Sequence, residues 1–448
     1  MSLQKKLTYH LRVYSAINNP ERFAMHRLSF LFLYLSLVSI CFAQSDTLTL
    51  EQCVDIAIKN NPQIHVAEGN FEATEASFVL ARSAYFPQIS FQASATKSGG
   101  TYLVGPIARP GEFNNYAVGF QGQQLLFDFG KTIGRVSSSS DFADASSQDY
   151  RAAQQDVVLN THVAYFGLLQ AKRVRDVSIE TVKQTEEHLR QAQAFYKVGK
   201  NPEFDVVKAE VDVANANVSL ITAENGLKIA RVQLENALGT KLKENVVLED
   251  NLEVPEETQV ELQAALEMAF QTRPEVIASR IRVEANEGLV TSAKAGHLPA
   301  ISATGGYSWR GYALDQPLFN SWNVGLTFSI PIFQGWAIAA GVDQASADLK
   351  AAKASDEATI QAVVLDVQQQ YLTLQESAQR IDASRKLVAQ AQEALKLSQG
   401  RYNYGAGSPI EITDAQVTLS NARITYIQSL YDFRVSRARL QRAMGSIK

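Results

Sequence analysis

From Ile89 the residues alternate: Ile89, Phe91, Ala93 and Ala95 fall on one side, Ser90, Gln92, Ser94 and Thr96 on the other. A period of two is that of a strand with one apolar face. Tyr116, Val118 and Phe120 repeat it, as do Ile301, Ala303, Tyr307 and Trp309, and then Trp322, Val324, Leu326, Phe328 and Ile330. The pattern predicts two β-hairpins, at about 87–127 and about 299–333, with strands of about ten residues, the length of a tilted membrane strand. Trp309, Tyr312 and Trp322 fall at loop ends, and Phe91, Tyr116, Trp309, Trp322 and Phe328 become candidates for lipid-facing or girdle positions. Four strands cannot close a barrel, and their edges would stay unpaired in lipid. Three chains would supply about twelve, around a lumen lined by Ser, Thr, Gln and Asn.

Elsewhere the period is seven. Ile360, Val367, Leu374, Ile381, Val388, Leu395 and Tyr402 keep that spacing, joined by Val364, Tyr371 and Ala378, and no proline interrupts the chain from Gly335 to Pro409. A helix over about 336–403 would be roughly 100 Å long at 1.5 Å per residue. Its seam resumes in a return helix, about 409–444, as Ile410, Val417, Ile424, Tyr431 and Ala438, which implies left-handed supercoiling of the pair. A second pair is expected at about 131–198 and about 202–238, with a weaker seam of Leu168, Val182, Leu189 and Tyr196. The turns are specified by residue type. Gly405 and Gly407 suit left-handed backbone, Ser408 a cap, Pro409 the first helical position and Glu411 a capping box, while Gly199, Asn201 and Pro202 offer the same stop and start.

The two halves are copies. Phe127/Phe333, Tyr165/Tyr371, Tyr196/Tyr402, Gly199/Gly405, Ala209/Ala415 and Gly239/Gly445 are each separated by 206 residues, and Pro62/Pro274 and Pro87/Pro299 by 212. The first copy is therefore six residues longer between Pro87 and Tyr116, where a surface loop would absorb the insertion. One unit of helix, hairpin and two helices occupies 44–240 and its copy 262–448. Residues 241–261, with seven acidic side chains, two basic ones and a proline, read as a solvated linker or as a small belt around the helices.

At the N-terminus, His26 and Arg27 precede an uncharged run from Leu28 to Ile40 and then Cys41-Phe42-Ala43, the pattern of a cleavable secretory leader over 1–43. Met25 is an alternative start, and Cys41 raises the competing reading of a lipoprotein leader, although Ile40 stands where that processing takes a small residue. Without the leader the chain has 37 Lys+Arg against 45 Asp+Glu, which argues against nucleic acid as a partner. No apolar run after it approaches the length of a membrane helix, leaving a β-barrel as the membrane route.

Catalytic chemistry finds little support. Gly130-Lys131-Thr132 resembles the end of a phosphate-binding loop, but Leu125 stands where its first glycine belongs, and a strand-to-helix corner is expected instead. The six histidines lack metal-ligand spacing, no cofactor is implied, and Glu186-Glu187-His188 reads as a solvated helix face.

Three groups of residues carry a family resemblance: Leu48 to Ala57 with Asn60-Asn61-Pro62 and Tyr85-Phe86-Pro87, their counterparts Ala265-Leu266, Arg273-Pro274-Glu275 and His297-Leu298-Pro299, and the turns at Gly199 and Gly405. Jointly they resemble the TolC-like outer-membrane efflux proteins over 44–448. The resemblance implies a mainly α protein with a small β part, a homotrimer whose twelve-stranded barrel sits in outer-membrane lipid and whose α-helical tunnel crosses the periplasm. It implies a passive conduit of a tripartite efflux or type I secretion system rather than an enzyme. A periplasmic adaptor and an inner-membrane pump would dock at the tips, here Val198, Gly199, Lys200, Asn201 and Pro202 with Tyr404, Gly405, Ala406, Gly407, Ser408 and Pro409. Glu393, Lys396 and Arg401 would line a periplasmic aperture, though two of the three are basic where the family is often acidic, and Lys200 and Ala406 replace the usual hydrophobic tip residue. A non-conducting coiled-coil adhesin is the competing class; it predicts parallel chains without a return helix.

Overall fold

The computed structural model describes residues 47–447 apart from 105, 244, 251–260, 314 and 316. The expected leader and Cys41 lie outside the described residues. The elements are β1 (Thr47–Leu48), α1 (Leu50–Asn60), α2 (Pro62–Arg82), β2 (Gln88–Val104), β3 (Ile107–Phe127), α3 (Lys131–Lys197), α4 (Glu203–Leu238), β4 (Val247–Leu248), α5 (Leu262–Thr272), α6 (Pro274–Ala295), β5 (Ala300–Gly311), β6 (Phe319–Ser329), α7 (Ala337–Asn403) and α8 (Pro409–Ala443). The copies agree in helix length: α1 to α4 have 11, 21, 67 and 36 residues, and α5 to α8 have 11, 22, 67 and 35.

Two helices, not the one expected, precede each hairpin. Pro62 and Pro274 force the residue before them out of helical geometry, and Asn61 (ψ 122°) and Arg273 (ψ 119°) are extended. Thr49 and Gln52 form a reciprocal capping box on α1, and the Asn61 side chain caps α2. Each break is also a joint. The Asn61 side chain donates to the Ala237 carbonyl (2.9 Å), and Arg273 donates to that of Ala443 (3.3 Å). Gly239 and Gly445, both left-handed, close the return helices against these breaks so tightly that a Cβ would lie 2.4 Å from Asn60 O or 2.8 Å from Arg273 Cα. The Asn-Pro/Arg-Pro and Ala-Leu-Gly/Ala-Met-Gly signatures of the repeat are thus two halves of one contact.

Near the sheet α3 packs against α2 and α6, and farther down against α4 and α8; α7 packs against α6, α5 and α8. The core is a chain of small clusters along these seams. One joins Cys53, Val157, Tyr165, Leu169, Leu234 and Tyr431, and another near the turns joins Ala391, Leu395, Tyr402, Ile412 and Leu419. Val367, Ile381, Leu395 and Tyr402 of the seven-residue seam are buried. In α3 the expectation fails at one end: Tyr196 is 47% exposed, and the buried line runs through Val182, Thr185, His188 and Ala192.

The hairpins form one antiparallel sheet in the order β2-β3-β5-β6. The six extra residues of the first copy are not a loop. Pairing continues from Lys97↔Asn114 to Val104↔Ile107, whereas β3 pairs with β5 only from Tyr116 onward, and the first hairpin stands beyond the sheet as a two-stranded ribbon. Pro110 is tolerated there because that stretch of β3 has a neighbour on one side only.

The segment after α4 is not a free linker where it is described. β4 pairs in parallel with β1, and Leu248 is buried. Tyr165 donates to the Glu249 carbonyl (2.6 Å), while Asp250 accepts from Arg173 (2.7 Å) and from Tyr431 (2.9 Å). Four acidic residues of the segment, 244, 253, 256 and 257, lie outside the described residues.

Candidate functional site

Cross-strand partners share a face. Register therefore sorts the sheet: Phe91↔Phe120, Phe120↔Tyr307 and Tyr307↔Trp322 form one aromatic row across all four strands. Trp309 lies opposite Val118 on that face, Tyr116 opposite Ala95, and Phe328 opposite Ile301. All five aromatic candidates thus share one face with Ile89, Val324 and Leu326. The other face carries Ser90, Gln92, Ser94, Gln121, Thr304, Ser308, Asn323 and Thr327. On the polar face a Cβ at Gly119 would lie 2.6 Å from Tyr307 O, so glycine there lets β3 and β5 approach closely. The apolar side stands open, with Trp322 74% and Val324 79% exposed.

A second aromatic belt, missed in the sequence, lies where strands meet helices: Phe86, Phe127, Phe129, Phe333 and Trp336 are all exposed. The signal was available, because Phe129 (φ 54°) and Gly130 (φ 99°) in one copy align with Gly335 (φ 57°) and Trp336 (φ 68°) in the other. Each corner needs two successive left-handed residues, and each copy spends one of them on an aromatic at a cost of about 1–2 kcal/mol. Asp128 then caps α3, its carboxylate accepting from the Thr132 amide (2.8 Å) and hydroxyl (2.5 Å), which settles the Gly130-Lys131-Thr132 corner.

The sheet ends in β2 and β6, each with one unpaired edge. The helices also have two open flanks. On α4, Phe204, Val211, Val218 and Val232 sit at multiples of seven residues with Val207 and Ile221 between them, all exposed. On α7, Leu365, Leu372, Leu387 and Leu397 are exposed, away from the seam shared with α8. The α4 row has the spacing of a coiled-coil seam, and neither flank is covered by another element among the described residues.

Both turns close in the same way. Gly199 and Gly405 are left-handed, and the amides of Lys200 and Ala406 donate back to the carbonyls of Phe195 and Arg401. Val198 (76%) and Tyr404 (92%) project outward. Between the turns lies a polar clasp. Asn201 Nδ2 donates to Tyr402 Oη and to Asp205, both at 2.7 Å; Gln191 donates to Asn403 (2.5 Å), and Lys200 Nζ to the Asn403 carbonyl (3.1 Å). Higher up, Thr413 donates to Asp212 (2.6 Å), which also takes Lys208 (2.5 Å). His188 is not on a solvated face: it is 6% exposed with its ring 5.5 Å from that of Tyr402, while Glu186 and Glu187 are exposed. Burial lowers the His188 pKa and raises that of Tyr402, the latter helped by nearby Asp205. The aperture candidates are not brought together as a set: Glu393 and Lys396 pair with each other (3.9 Å), and Arg401 pairs across its turn with Glu411 (3.4 Å).

Among the described residues no His, Cys, Asp and Glu group is arranged to hold a metal ion. The Cys53 thiol is fully buried, and desolvation pushes its pKa up to about 12.

Residues 53–240 and 265–446, one stretch in each copy, match the family described as outer membrane efflux protein. The outer membrane protein TolC of Escherichia coli is 25% identical over 412 residues, spanning 89% of this chain and 82% of that protein. TolC of Vibrio cholerae is 24% identical over 404 residues, 89% of this chain and 91% of that protein. A crystal structure of a membrane protein from Pseudomonas aeruginosa superimposes with a TM-score of 0.80 at 23% identity, covering 88% of this chain and 93% of the other.

Proposed function

This chain belongs to the outer membrane efflux protein family, and from that premise we propose that three copies of it form a passive duct from the periplasm to the exterior. The observation that carries the reading is the sheet. Its four strands have one apolar exposed face, one polar face and two free edges, a combination unstable in water and in lipid alike for a single chain. Joining β6 of one copy to β2 of the next three times makes a closed ring of about twelve strands, wide enough for a polar lumen. The open α4 and α7 flanks meet in the same operation, each covering the exposed apolar residues of the other. An aromatic belt at either end of the apolar band suits the two lipid headgroup levels.

At the far end, the exposed tips at 198–202 and 404–409 serve as docking points for a periplasmic adaptor and an inner-membrane pump, whose partnership supplies energy and cargo choice. Glu393, Lys396 and Arg401 act there as surface charge near the entrance. The adhesin reading fits poorly, because α4 and α8 return antiparallel along α3 and α7 within one chain. Planar-bilayer recording on the purified protein tests the proposal. It predicts discrete, long-lived conductance steps; a folded, inserted protein that passes no ions would refute it.

A further inference from the structure

Among the described histidines, His188 alone is packed inside the clasp between the two coils. Its duplicate position is Ala394, which is exposed, so the device exists in one copy only. The groups around it are fixed by geometry. From α7 comes the Tyr402 ring (5.5 Å), and from α4 come Asp205, Lys208 and Asp212. From α8, Thr413 reaches the same carboxylate as Lys208. On α3 itself Glu187 and Arg190 point to solvent and pair with each other (3.8 Å). Asp212 is paired with Lys208 and accepts from Thr413, whereas Asp205 accepts from the neutral Asn201 amide and keeps its charge, which partly offsets the cost of a buried cation. The His188 ring makes no hydrogen bond among the described residues. A neutral imidazole suits such a site, since its edge packs on Tyr402. An imidazolium suits it less, because no carboxylate bonds the ring and the cost of burying the cation outweighs the attraction of Asp205 and Asp212.

We propose that His188 is a proton-sensitive wedge in the tip clasp: neutral, it lets the α3–α4 and α7–α8 coils close on each other, and protonated, it drives them apart and opens the periplasmic entrance. This rests on the channel reading above. The sign follows from linkage. In the separated state the ring is solvated and titrates near the ordinary value of about 6.5, while in the closed state burial lowers it. The closed state is therefore at full strength above pH ~6.5 and weakens as the pH falls through that value toward the lowered one.

Planar-bilayer recording from pH 8 to pH 5 on the wild type, His188→Gln and His188→Lys tests this. The expected result is a several-fold rise in wild-type open probability on acidification, a flat profile for His188→Gln, and a high pH-independent open probability for His188→Lys. A His188→Gln channel that keeps the wild-type slope, or a wild type with none, overturns the wedge while leaving the duct intact. A protein that never conducts overturns both. Spin labels on cysteines at Val198 and Tyr404 give a readout independent of current: their separation in the wild type should widen at low pH and not in His188→Gln. An unchanged separation overturns the proposal.

Discussion

The two turns at the ends of the long helices have the same backbone and different partners. Tyr196 and Tyr402 occupy equivalent positions three residues before a left-handed glycine, yet Tyr196 is 47% exposed whereas Tyr402 is 3% exposed and accepts a hydrogen bond from Asn201. The same contrast recurs at the other end of the return helices. Arg442 is buried, donating to Asp156 (2.8 Å) and paired with Glu275 (2.5 Å), while its duplicate, Asn236, is exposed. Duplication preserved what the backbone needs, the glycines and helix lengths, and released the side chains to differ. At these two positions the first copy leaves its side chain outward, and the second turns it inward to tie the coils together.

The contrast can be broken most sharply at Arg442. Arg442→Ala leaves Glu275 partly buried without its main cation, at a cost of about 3–5 kcal/mol, and Asn236→Ala should lie within about 0.5 kcal/mol of the wild type; urea midpoints compare them. Desolvation opposes ionisation of Glu275, but its bonds to Arg442 outweigh it and hold the pKa below the ordinary carboxylate value. That contribution is present above pH ~4.3 and is lost as the pH falls through the depressed value. The wild type should accordingly lose more stability on acidification below that point than Arg442→Ala does.

At the tips, Tyr402→Ala should cost roughly 3 kcal/mol in thermal or urea unfolding, against nearly nothing for Tyr196→Ala. Tyr402→Phe isolates the bond from Asn201 at about 1 kcal/mol and should raise the open probability several-fold without changing the mass of the assembly. Equal effects at the two tyrosines would mean that the tips are equivalent after all. The smallest effect is expected in the hairpins. Replacing 98–113 by a two-residue Asn-Gly turn removes the ribbon that only the first copy has, and it should leave assembly and melting unchanged because no other strand pairs with it.

Hydrophobic period made the architecture legible. Alternation at Ile89 and Trp322 and the seven-residue spacing through Tyr402 each follow from local geometry that the sequence states directly. What escaped was set by tertiary contact. Nothing in Glu186-Glu187-His188 says that α4 and the second tip will cover one of the three. Nothing in residues 241–250 says that Tyr165, Arg173 and Tyr431 will pin the segment to the helices. Two misses were avoidable: Asn61-Pro62 and Arg273-Pro274 carry their own helix break, and the ribbon could have been inferred from the strand-compatible residues flanking the six-residue insertion.

The central claim is that no single chain can satisfy its own sheet edges and that three copies share one wall. Native mass spectrometry of the detergent-solubilised protein, with circular dichroism on the same sample, measures it directly. The account predicts a single species of three chains in which the β-sheet signal and the trimer are lost together on heating; a monomer that retains the full sheet signal would contradict it.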